Sequence, residues 1–258
     1  MDLQLSGKTA VVTGASRGIG LAITRALIGE GARVVAASRE GPDALRDLGA
    51  VPVITDLTAP DGPAVVAEAA ARTFGKLDIL VNNVGAVRPR TGGFTSVTAQ
   101  DWAATLAVNF LAAVNMTRLA LPLLTAEGGG SIITISSVNA ALPDPLVIDY
   151  SAAKAALTNF CKALSKETGP HGVRVNTVSP GPVATDLWLG AGGVAETIAG
   201  LAGSTPDAVA AAAVADTPTG RFTEPGEVAD LVLFLASPRA GNITGADFAI
   251  DGGLKTTL

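Results

Sequence analysis

The chain has few residues of the kinds that build disulfide frameworks, metal clusters or strongly charged surfaces. Cys161 is the one cysteine and His171 the one histidine in 258 residues, which excludes a disulfide framework and a cysteine metal cluster. Only 16% of the residues are charged and the net charge is -5, which disfavours nucleic acid and anionic membrane surfaces as partners. We therefore expect no metal site, no nucleic-acid partner and no membrane partner.

Two further absences concern targeting. The segment from Met1 to Lys8 carries an early acid, Asp2, and no basic stretch before an apolar run, so it does not read as a signal peptide. No apolar run approaches the roughly 18 residues that a membrane span requires. The 48% share of hydrophobic residues is enough for a large core. We expect a cytoplasmic, soluble protein.

Short apolar segments of strand length alternate with longer segments that repeat apolar residues at helical spacing. The alternation predicts an α/β fold with a parallel, doubly wound sheet and right-handed crossovers. No linker, repeat or charge block divides the sequence, so we predict one domain over residues 1–258. The predicted strands cover residues 9–13, 33–37, 51–54, 77–81, 131–136, 173–178 and 247–250, and the main helices residues 19–29, 61–74, 101–124, 150–168 and 224–236.

A glycine-rich turn separates the first strand from the first helix. Gly14 permits the tight turn, Gly18 lets the backbone approach a pyrophosphate, and Gly20 lets the helix pack closely on the strand. Phosphates would then lie at the N-terminus of the helix, where free amides and the helix dipole favour anions. The spacing is a variant of the general dinucleotide fingerprint, and its place after the first strand indicates nucleotide binding.

A second group of residues has the character of a proton relay. Tyr150 and Lys154 are four residues apart in a helical segment, so their side chains lie on one face, one turn apart. A nearby ammonium favours the phenolate and lowers the pKa of a tyrosine, which is otherwise about 10. Ser137 ends an apolar strand, and its hydroxyl can bind the same substrate oxygen. Tyr150 is also the only tyrosine in the chain, so the pattern is not one match among many.

These motifs and three others occur together in one order, and as a set they resemble the short-chain dehydrogenase/reductase family in its single-domain form. The match extends from Gly7 to Gly253. The motifs are Thr13-Gly14-Ala15-Ser16-Arg17-Gly18-Ile19-Gly20, Asn82-Asn83-Val84-Gly85, Asn109, Ser137, Tyr150-x-x-x-Lys154 and Pro180-Gly181-Pro182-Val183-Ala184-Thr185. The one small departure is Val84, where the family usually has alanine.

The resemblance implies a seven-stranded Rossmann-type sheet with helices on both faces, a nicotinamide cofactor and a catalytic tetrad. In that tetrad Tyr150 is the general acid/base and Ser137 holds the substrate oxygen. Lys154 lowers the pKa of the tyrosine and binds the nicotinamide ribose, and Asn109 supports a water in the proton relay. The resemblance also implies a homotetramer, with a homodimer as the alternative.

The same resemblance assigns the cofactor contacts. Asp56 would bind the adenine amino group beside Leu57, Asn82 would lie at the adenosine ribose, and Val183 and Thr185 would meet the nicotinamide carboxamide. The full set of expected cofactor residues is Gly14, Ser16, Arg17, Gly18, Ile19, Gly20, Ser38, Arg39, Asp56, Leu57, Asn82, Val84, Gly85, Tyr150, Lys154, Pro180, Gly181, Val183 and Thr185.

The end of the second strand predicts the choice of cofactor. Rossmann proteins that prefer NAD place an acid there, which binds the adenosine ribose and repels a 2′-phosphate. Here Ser38 takes that place and Arg39 follows it, while Arg17 would approach from the glycine turn. Arginine binds phosphate in a bidentate, charge-assisted way. We therefore predict NADP(H) in preference to NAD(H), although Glu40 stands beside Arg39.

Residues 186–220 correspond to the region that family members use as a substrate lid. The stretch from Leu187 to Gly220 contains no Lys or Arg and is rich in Gly and Ala, which favours a neutral, fairly apolar carbonyl compound or alcohol. Trp188 is predicted either to form an aromatic wall of the pocket or to pack the lid on the core. We interpret Arg88 and Arg90 as solvated loop arginines, with reception of an anionic substrate as the alternative.

The leading hypothesis is an NADP(H)-dependent oxidoreductase of a carbonyl compound and its secondary alcohol. One alternative is a reductase of carrier-tethered 3-oxoacyl groups, which the lack of basic residues in Thr125-Ala126-Glu127-Gly128-Gly129 disfavours. Another is a nucleotide-binding regulatory protein without turnover, which the filled tetrad disfavours. The sequence does not identify the substrate or the direction of the reaction.

Overall fold

The computed structural model describes residues 1–126 and 128–257, and its centre is one parallel sheet of seven strands. The strand order is β3-β2-β1-β4-β5-β6-β7, which confirms the predicted doubly wound, Rossmann-type sheet. The strands are β1 Thr9–Thr13, β2 Arg33–Ser38, β3 Val51–Ile54, β4 Ile79–Asn82, β5 Ser131–Ile135, β6 Arg174–Pro180 and β7 Asp247–Ile250.

Helices cover both faces of the sheet. On one face α1 and α10 pack together, and on the other α3, α5 and α6 cover the sheet. The helices are α1 Gly18–Gly29, α2 Pro42–Asp47, α3 Gly62–Phe74, α4 Ala99–Leu106, α5 Ala112–Thr125, α6 Ile148–Thr168, α7 Asp186–Leu189, α8 Val194–Ala202, α9 Pro206–Val214 and α10 Pro225–Ala236.

The central strands β1, β4 and β5 are buried along their whole length because both of their faces are covered. In β1 the side chains of Ala10 and Val12 face the layer of α1 and α10, while Val11 faces the opposite layer, as the two-residue period of a strand requires. All five residues of β1 are buried. The two layers therefore form two cores separated by the sheet.

The strand order places the chemically active loops at one edge. β1 pairs with β2 on one side and with β4 on the other, so the order reverses direction beside β1. The glycine turn follows β1, and the Asn82-Asn83-Val84-Gly85 segment begins at the last residue of β4. Ligands of open α/β sheets bind beyond the carboxyl ends of the strands at such a switch point.

The predicted helix of residues 101–124 differs from the structure in two ways. It begins at Ala99, and a π-helical turn over Ala107–Leu111 interrupts it between α4 and α5. The result is one continuous helix of 27 residues, Ala99–Thr125, which by length and composition alone could cross a membrane. The expectation concerned unbroken apolar runs, whereas this helix carries Asp101, Asn109 and Arg118. A core helix of a soluble protein passes the same test, so the helix is weak evidence for a membrane span.

Residues 186–220, expected as a Gly- and Ala-rich lid, contain the helices α7, α8 and α9. Each is at most nine residues long, so the sequence offers too few turns for helical periodicity to mark them. The segment from Thr125 to Gly129, used above against a carrier-protein partner, includes Glu127, which lies outside the described residues.

Candidate active site

The glycine turn has the geometry that a bound diphosphate needs. Gly14 and Gly18 have positive φ angles of 64° and 53°, which side-chain-bearing residues rarely adopt. A Cβ on Gly20 would overlap the Gly14 carbonyl oxygen, so the close packing of α1 on the turn requires glycine there. Arg17 stands at the N-cap of α1 without a side-chain cap from the described residues. The first-turn amides are thus left for an anion.

Asn83 holds this turn in place, a role that the motif comparison did not assign. Its amide Nδ2 donates to the carbonyl oxygens of Thr13 and Gly14 at 3.0 and 3.1 Å, and its backbone N donates to the Thr13 hydroxyl at 2.9 Å. The end of β4 is thereby joined to the end of β1. The sequence did carry a signal, the adjacent pair Asn82-Asn83 at the end of β4, but only Asn82 was assigned a role.

The predicted 2′-phosphate residues lie close to the glycine turn. Ser38 is buried, and its hydroxyl donates to the Glu40 carbonyl oxygen at 2.7 Å, while Arg39 is exposed. A Cβ on Gly41 would lie 3.4 Å from the Ser16 Cβ, so the segment after β2 touches the turn after β1. Two exposed arginines, Arg17 and Arg39, therefore flank one short stretch of surface.

The predicted adenine residues follow β3. Asp56 is exposed, and its Oδ1 accepts hydrogen bonds from the Thr58 backbone N and hydroxyl, both at 2.8 Å. These two bonds are the main reason why the pKa of Asp56 is lowered, and the charge of Arg39 adds to them. Leu57 is buried beside it. An ionised acceptor next to Arg39 fits recognition of an amino group.

Asn82 lies deeper, at the end of β4. Its Nδ2 donates to the Thr117 hydroxyl at 2.9 Å, whereas its buried Oδ1 has no hydrogen-bond partner among the described residues. A buried amide oxygen without a partner is uncommon in folded proteins. It is consistent with a polar group approaching the carboxyl end of β4.

The segment after β6 meets the glycine turn from the other side. A Cβ on Gly18 would lie 3.3 Å from the Thr185 Cγ2 atom, which places Thr185 against the turn. Val183 is buried and pairs with Thr223 in an isolated parallel bridge. Pro180 ends β6, and the Gly181 backbone N donates to the Ile250 carbonyl oxygen at 3.0 Å. The predicted nicotinamide residues are thus fixed by β7 and by the start of α10.

Ser137 stands just beyond β5, and Asn139 orients it. The Ser137 hydroxyl donates to Asn139 Oδ1 and accepts from the Asn139 backbone N, both at 3.2 Å. The serine is 7% exposed. Asn139 was not singled out from the sequence, and its place two residues after the serine is the typical spacing of a side-chain turn.

Tyr150 lies in the first turn of α6, near enough to Ser137 for the serine hydroxyl to act on its pKa. Burial raises the pKa of Tyr150, and the nearby Ser137 hydroxyl only partly offsets that effect. The sequence predicted the opposite direction through Lys154. The Lys154 Nζ lies 5.7 Å from the centroid of the tyrosine ring, so the two side chains share a face as predicted.

Lys154 is 3% exposed, and its Nζ donates to the Ile135 carbonyl oxygen at 2.8 Å. Burial lowers the pKa of Lys154 from 10.5 to about 8. A Cβ on Gly85 would lie 3.5 Å from this Nζ and 3.0 Å from the Asn109 Oδ1. Gly85 thus leaves open the space in front of both groups, and Val84 packs at the edge of the core behind it.

Asn109 lies in the π-helical turn between α4 and α5. Its Nδ2 donates to the Ala86 and Thr105 carbonyl oxygens at 2.8 and 3.1 Å, and its Oδ1 accepts from the Ala86 backbone N at 3.0 Å. π-Helical turns are frequent at functional sites. Here the turn commits the asparagine side chain to the loop after β4.

A cavity of about 230 Å³ opens between that loop and the lid. Its lining residues are Val87, Arg88, Pro89, Leu187, Gly192, Gly193, Val194 and Thr197. Trp188 is instead half-buried and packs edge-on against Phe222, with the ring centroids 5.7 Å apart. This contact supports the packing interpretation of Trp188 more than the pocket-wall interpretation.

The two loop arginines differ from one another. Arg88 is exposed and lines the cavity mouth. The Arg90 side chain is only 12% exposed and forms ion pairs with Asp101 and Asp149. The interpretation of Arg90 as a solvated loop residue is therefore wrong, because two acids brought together by the fold bury its charge.

The site as a whole places a glycine turn suited to phosphates near the Tyr150 and Lys154 side chains. The turn without side chains, the free amides of α1 and the two exposed arginines fit the phosphates of a nicotinamide dinucleotide. Among the described residues no group of three or more His, Cys, Asp or Glu side chains is arranged to hold a metal ion.

Comparison with known proteins agrees with this geometry. A family model described as enoyl-(acyl carrier protein) reductase matches residues 14–255. The chain belongs to the short-chain dehydrogenase/reductase family. Among curated members, D-threitol dehydrogenase of Mycolicibacterium smegmatis is 37% identical, with 98% of this chain and 94% of the relative covered. The 3-oxoacyl-acyl-carrier-protein reductase of Thermotoga maritima is 32% identical, with 98% and 99% covered.

A solved short-chain dehydrogenase/reductase structure resembles the whole chain. The L-sorbose reductase of Gluconobacter frateurii, complexed with NADPH and L-sorbose, superposes with a TM-score of 0.93 at 34% identity and covers both chains completely. The family relatives are oxidoreductases of alcohol and carbonyl groups. Their substrates range from sugar alcohols to carrier-bound acyl groups.

Proposed function

We propose that the protein is an NADP(H)-dependent oxidoreductase that interconverts a small, neutral, fairly apolar carbonyl compound and its secondary alcohol. The observation that carries the proposal is the convergence of Ser137, Tyr150, Lys154 and Asn109 around the open space beside Gly85. The cofactor, when bound, supplies or accepts the hydride. The side chains of the protein hold the substrate oxygen and exchange a proton with it.

The division of labour among those side chains follows from the contacts. The Tyr150 hydroxyl, which lies near Ser137, exchanges a proton with the substrate oxygen, and Ser137 holds that oxygen in place. Lys154 places a cation behind the tyrosine ring. Asn109 fixes the loop after β4 through Ala86, which bounds the site on the side of the cavity.

The preference for NADP(H) is proposed from Ser38, Arg39 and Arg17. A hydrogen bond to a charged group contributes about 1.5–3 kcal/mol, or roughly 10- to 150-fold in affinity. Both arginines are exposed, so solvent screening places the expected preference near the lower end, at about tenfold or more. The L-sorbose reductase relative, which was solved with NADPH, supports the same choice.

The cofactor proposal is tested by comparing kcat/KM for NADPH and NADH. The variant Arg39→Asp is expected to abolish or reverse the preference, because it removes the guanidinium and introduces an acid near the adenosine ribose. Arg25→Asp makes the same change of charge on an exposed site of α1 and serves as the control. Equal kcat/KM for the two cofactors in the unmodified protein would reject the proposal.

The substrate class rests on the lining of the cavity. Most of its walls are small or apolar, and the lid contributes no cation. Arg88 at the mouth is the one basic lining residue named above, so a carboxylate-bearing substrate is the specific alternative. A panel of aldehydes, ketones and secondary alcohols, each with a matched carboxylate, is followed at the reduced-nicotinamide absorbance. Selective turnover of the carboxylates would reject the neutral class.

A second candidate is reduction of carrier-tethered 3-oxoacyl groups, which the Thermotoga maritima relative favours. A 3-oxoacyl thioester added to the same panel tests it, with the carrier-bound form compared with the free thioester. Cofactor binding without turnover of any compound would instead favour a regulatory nucleotide-binding protein. The panel therefore separates three functions in one assay.

We further propose a homotetramer, with a homodimer as the alternative. The continuous helix Ala99–Thr125 is apolar, yet only 28% of its most apolar window is buried within one chain. Leu111 on that helix and Leu146 just before α6 are also exposed. A second copy would cover these surfaces. A monomeric mass by light scattering at micromolar concentration would reject the proposal.

A further inference from the structure

A buried ionic cluster lies beside the candidate active site and has no part in the chemistry described so far. Arg90 donates from Nε and Nη2 to the Asp149 Oδ2 atom at 3.1 and 2.5 Å, and from Nη1 to the Asp101 Oδ1 atom at 3.0 Å. The Thr105 hydroxyl donates to the same Asp149 oxygen at 2.7 Å. The side chain of Asp149 is only 2% exposed.

The cluster joins three elements that are separate in the sequence. Arg90 lies in the loop after β4, Asp101 in the first turn of α4, and Asp149 in the first turn of α6, directly before Tyr150. The Arg90 backbone N also donates to the Leu146 carbonyl oxygen at 2.6 Å. Two separate contacts thus fix the loop to the start of the tyrosine helix.

The other end of the cluster reaches Asn109. Thr105, whose hydroxyl binds Asp149, uses its carbonyl oxygen to accept the Asn109 Nδ2 bond at 3.1 Å. Asp101 also closes the capping box of α4, since its Oδ2 accepts from the Thr98 hydroxyl and backbone N. The carboxylates of Asp101 and Asp149 therefore sit between two helix starts and one arginine.

The charges in this cluster are held in their ionised forms. Burial raises the pKa of Asp149, but the bonds from Arg90 and Thr105 outweigh it and the pKa is lowered overall. The bond to Asp149 is the main reason why the pKa of Arg90 is raised. A buried pair of this kind is rarely justified by stability alone, because apolar residues of similar volume serve as well or better. We therefore look for the role of the Arg90–Asp149 ion pair in the geometry of the site.

We propose that Arg90 and Asp149 are positioning residues for Tyr150. They lock the first turn of α6 against the loop after β4 and thereby hold the tyrosine hydroxyl at Ser137. The inference rests on the proposed oxidoreductase function for its kinetic part only. A misplacement of about 1 Å at a reacting group can cost about 100-fold in rate.

The experiment compares five variants with the unmodified protein. Arg90→Ala and Asp149→Ala each remove one partner, and Arg90→Lys keeps a cation that can reach Asp149 but not Asp101 as well. The double variant Arg90→Met with Asp149→Leu replaces the ion pair by apolar side chains. Arg88→Ala, two residues away in the same loop, removes an exposed arginine and is the matched control.

Three quantities are measured for each variant: kcat and KM, the melting temperature, and the titration of Tyr150. The last is accessible because Tyr150 is the only tyrosine, so the near-ultraviolet phenolate band reports this residue alone. The titration needs no substrate and no cofactor. A failure of the proposed function, seen as absence of turnover in the unmodified protein, therefore leaves the positioning inference open to test.

We expect a 10- to 100-fold fall in kcat for Arg90→Ala and Asp149→Ala, with the KM for the cofactor within about twofold. Arg90→Lys should lie between these variants and the unmodified protein. The tyrosine titration should move towards its ordinary value, because a displaced ring is less buried. The double variant should regain the melting temperature but not kcat, and Arg88→Ala should keep the titration of the unmodified protein.

Two outcomes would overturn the inference. If the double variant regains both the melting temperature and kcat, the ion pair serves stability only. If the tyrosine titration in folded Arg90→Lys and Asp149→Ala coincides with that of the unmodified protein, the cluster does not position the ring. Should Arg90→Ala or Asp149→Ala fail to fold, the lysine and double variants still decide the question.

Discussion

The buried ammonium of Lys154 gives a sharp test of the electrostatics of the site. Its side chain has little contact with solvent, and its one hydrogen bond among the described residues goes to the Ile135 carbonyl oxygen. Burial lowers its pKa from 10.5 to about 8. One unit of pKa corresponds to about 1.4 kcal/mol, so the folded protein loses about 3 kcal/mol of stability at pH 7 to this charge.

The sign of the pH dependence follows from which state holds the proton. Between about pH 8 and pH 10.5 the Lys154 side chain is mostly protonated in the unfolded chain but mostly deprotonated in the folded protein. Stability that depends on this lysine therefore rises as the pH rises through that window, because the folded protein no longer carries the buried charge. From pH 7 to about pH 9.5 the gain is about 2 kcal/mol.

The perturbation is Lys154→Met, which keeps the length of the side chain and removes the charge. Losing the bond to Ile135 costs about 1–3 kcal/mol at every pH, whereas the relief of the buried charge is present at pH 7 and fades at higher pH. The free energy of unfolding is measured by denaturant titration at equal protein concentration. Relative to the variant, the unmodified protein should gain about 2 kcal/mol between pH 7 and about pH 9.5.

Lys166→Met removes an exposed lysine from the same helix and controls for the change in net charge. Parallel stability curves for Lys154→Met and the unmodified protein would refute the reasoning, since the lysine would then titrate alike in both states. Activity gives an independent reading. Turnover of the variant should fall about 100-fold or more, because the cation behind the tyrosine is lost.

Three further predictions concern single side chains. Tyr150→Phe should lower turnover about 100-fold or more while cofactor binding stays within twofold, and retention of over half the activity would reject its acid–base role. Gly20→Ala should abolish cofactor binding because its Cβ overlaps the turn, whereas Gly29→Ala, in open space, should stabilise the protein by up to about 1 kcal/mol in denaturant titration. Trp188→Ala should raise KM for large and small carbonyl substrates alike, because the contact with Phe222 supports the lid; a rise confined to large substrates would place the indole in the pocket.

The sequence predicted the sheet and the glycine turn because the signals for both are local. Short runs of strand length, rich in apolar residues, marked Thr9–Thr13, Val51–Ile54 and Asp247–Ile250, and the structure has strands at these same residues. The glycine positions follow from backbone conformation and close approach, which any sequence with that turn must satisfy. Such features need no knowledge of distant contacts.

Other features depend on contacts between distant parts of the chain. Arg90 and Asp149 are 59 residues apart, and neither has an unusual neighbourhood in sequence. Arginine in a polar loop reads as solvated until the fold supplies a buried acid. The π-helical turn at Asn109 is similar, since one extra residue in a helical turn leaves the apolar spacing almost unchanged. The helices of the lid are at most nine residues long, so their apolar spacing spans too few turns to stand out in the sequence.

The raised pKa of Tyr150 bears on how the site works before cofactor and substrate arrive. Burial favours the neutral phenol, so at neutral pH the hydroxyl keeps its proton and is a weaker acid than a phenol in water. Lys154 cannot fully reverse this, because its own pKa of about 8 means that it loses its charge before the phenol does. In reduction of a carbonyl group the tyrosine gives up a proton, whereas in oxidation of an alcohol it must accept one. For the proposed acid–base role, the proton that reduction consumes is present on Tyr150 near neutral pH, whereas oxidation of an alcohol needs the phenolate that forms at higher pH.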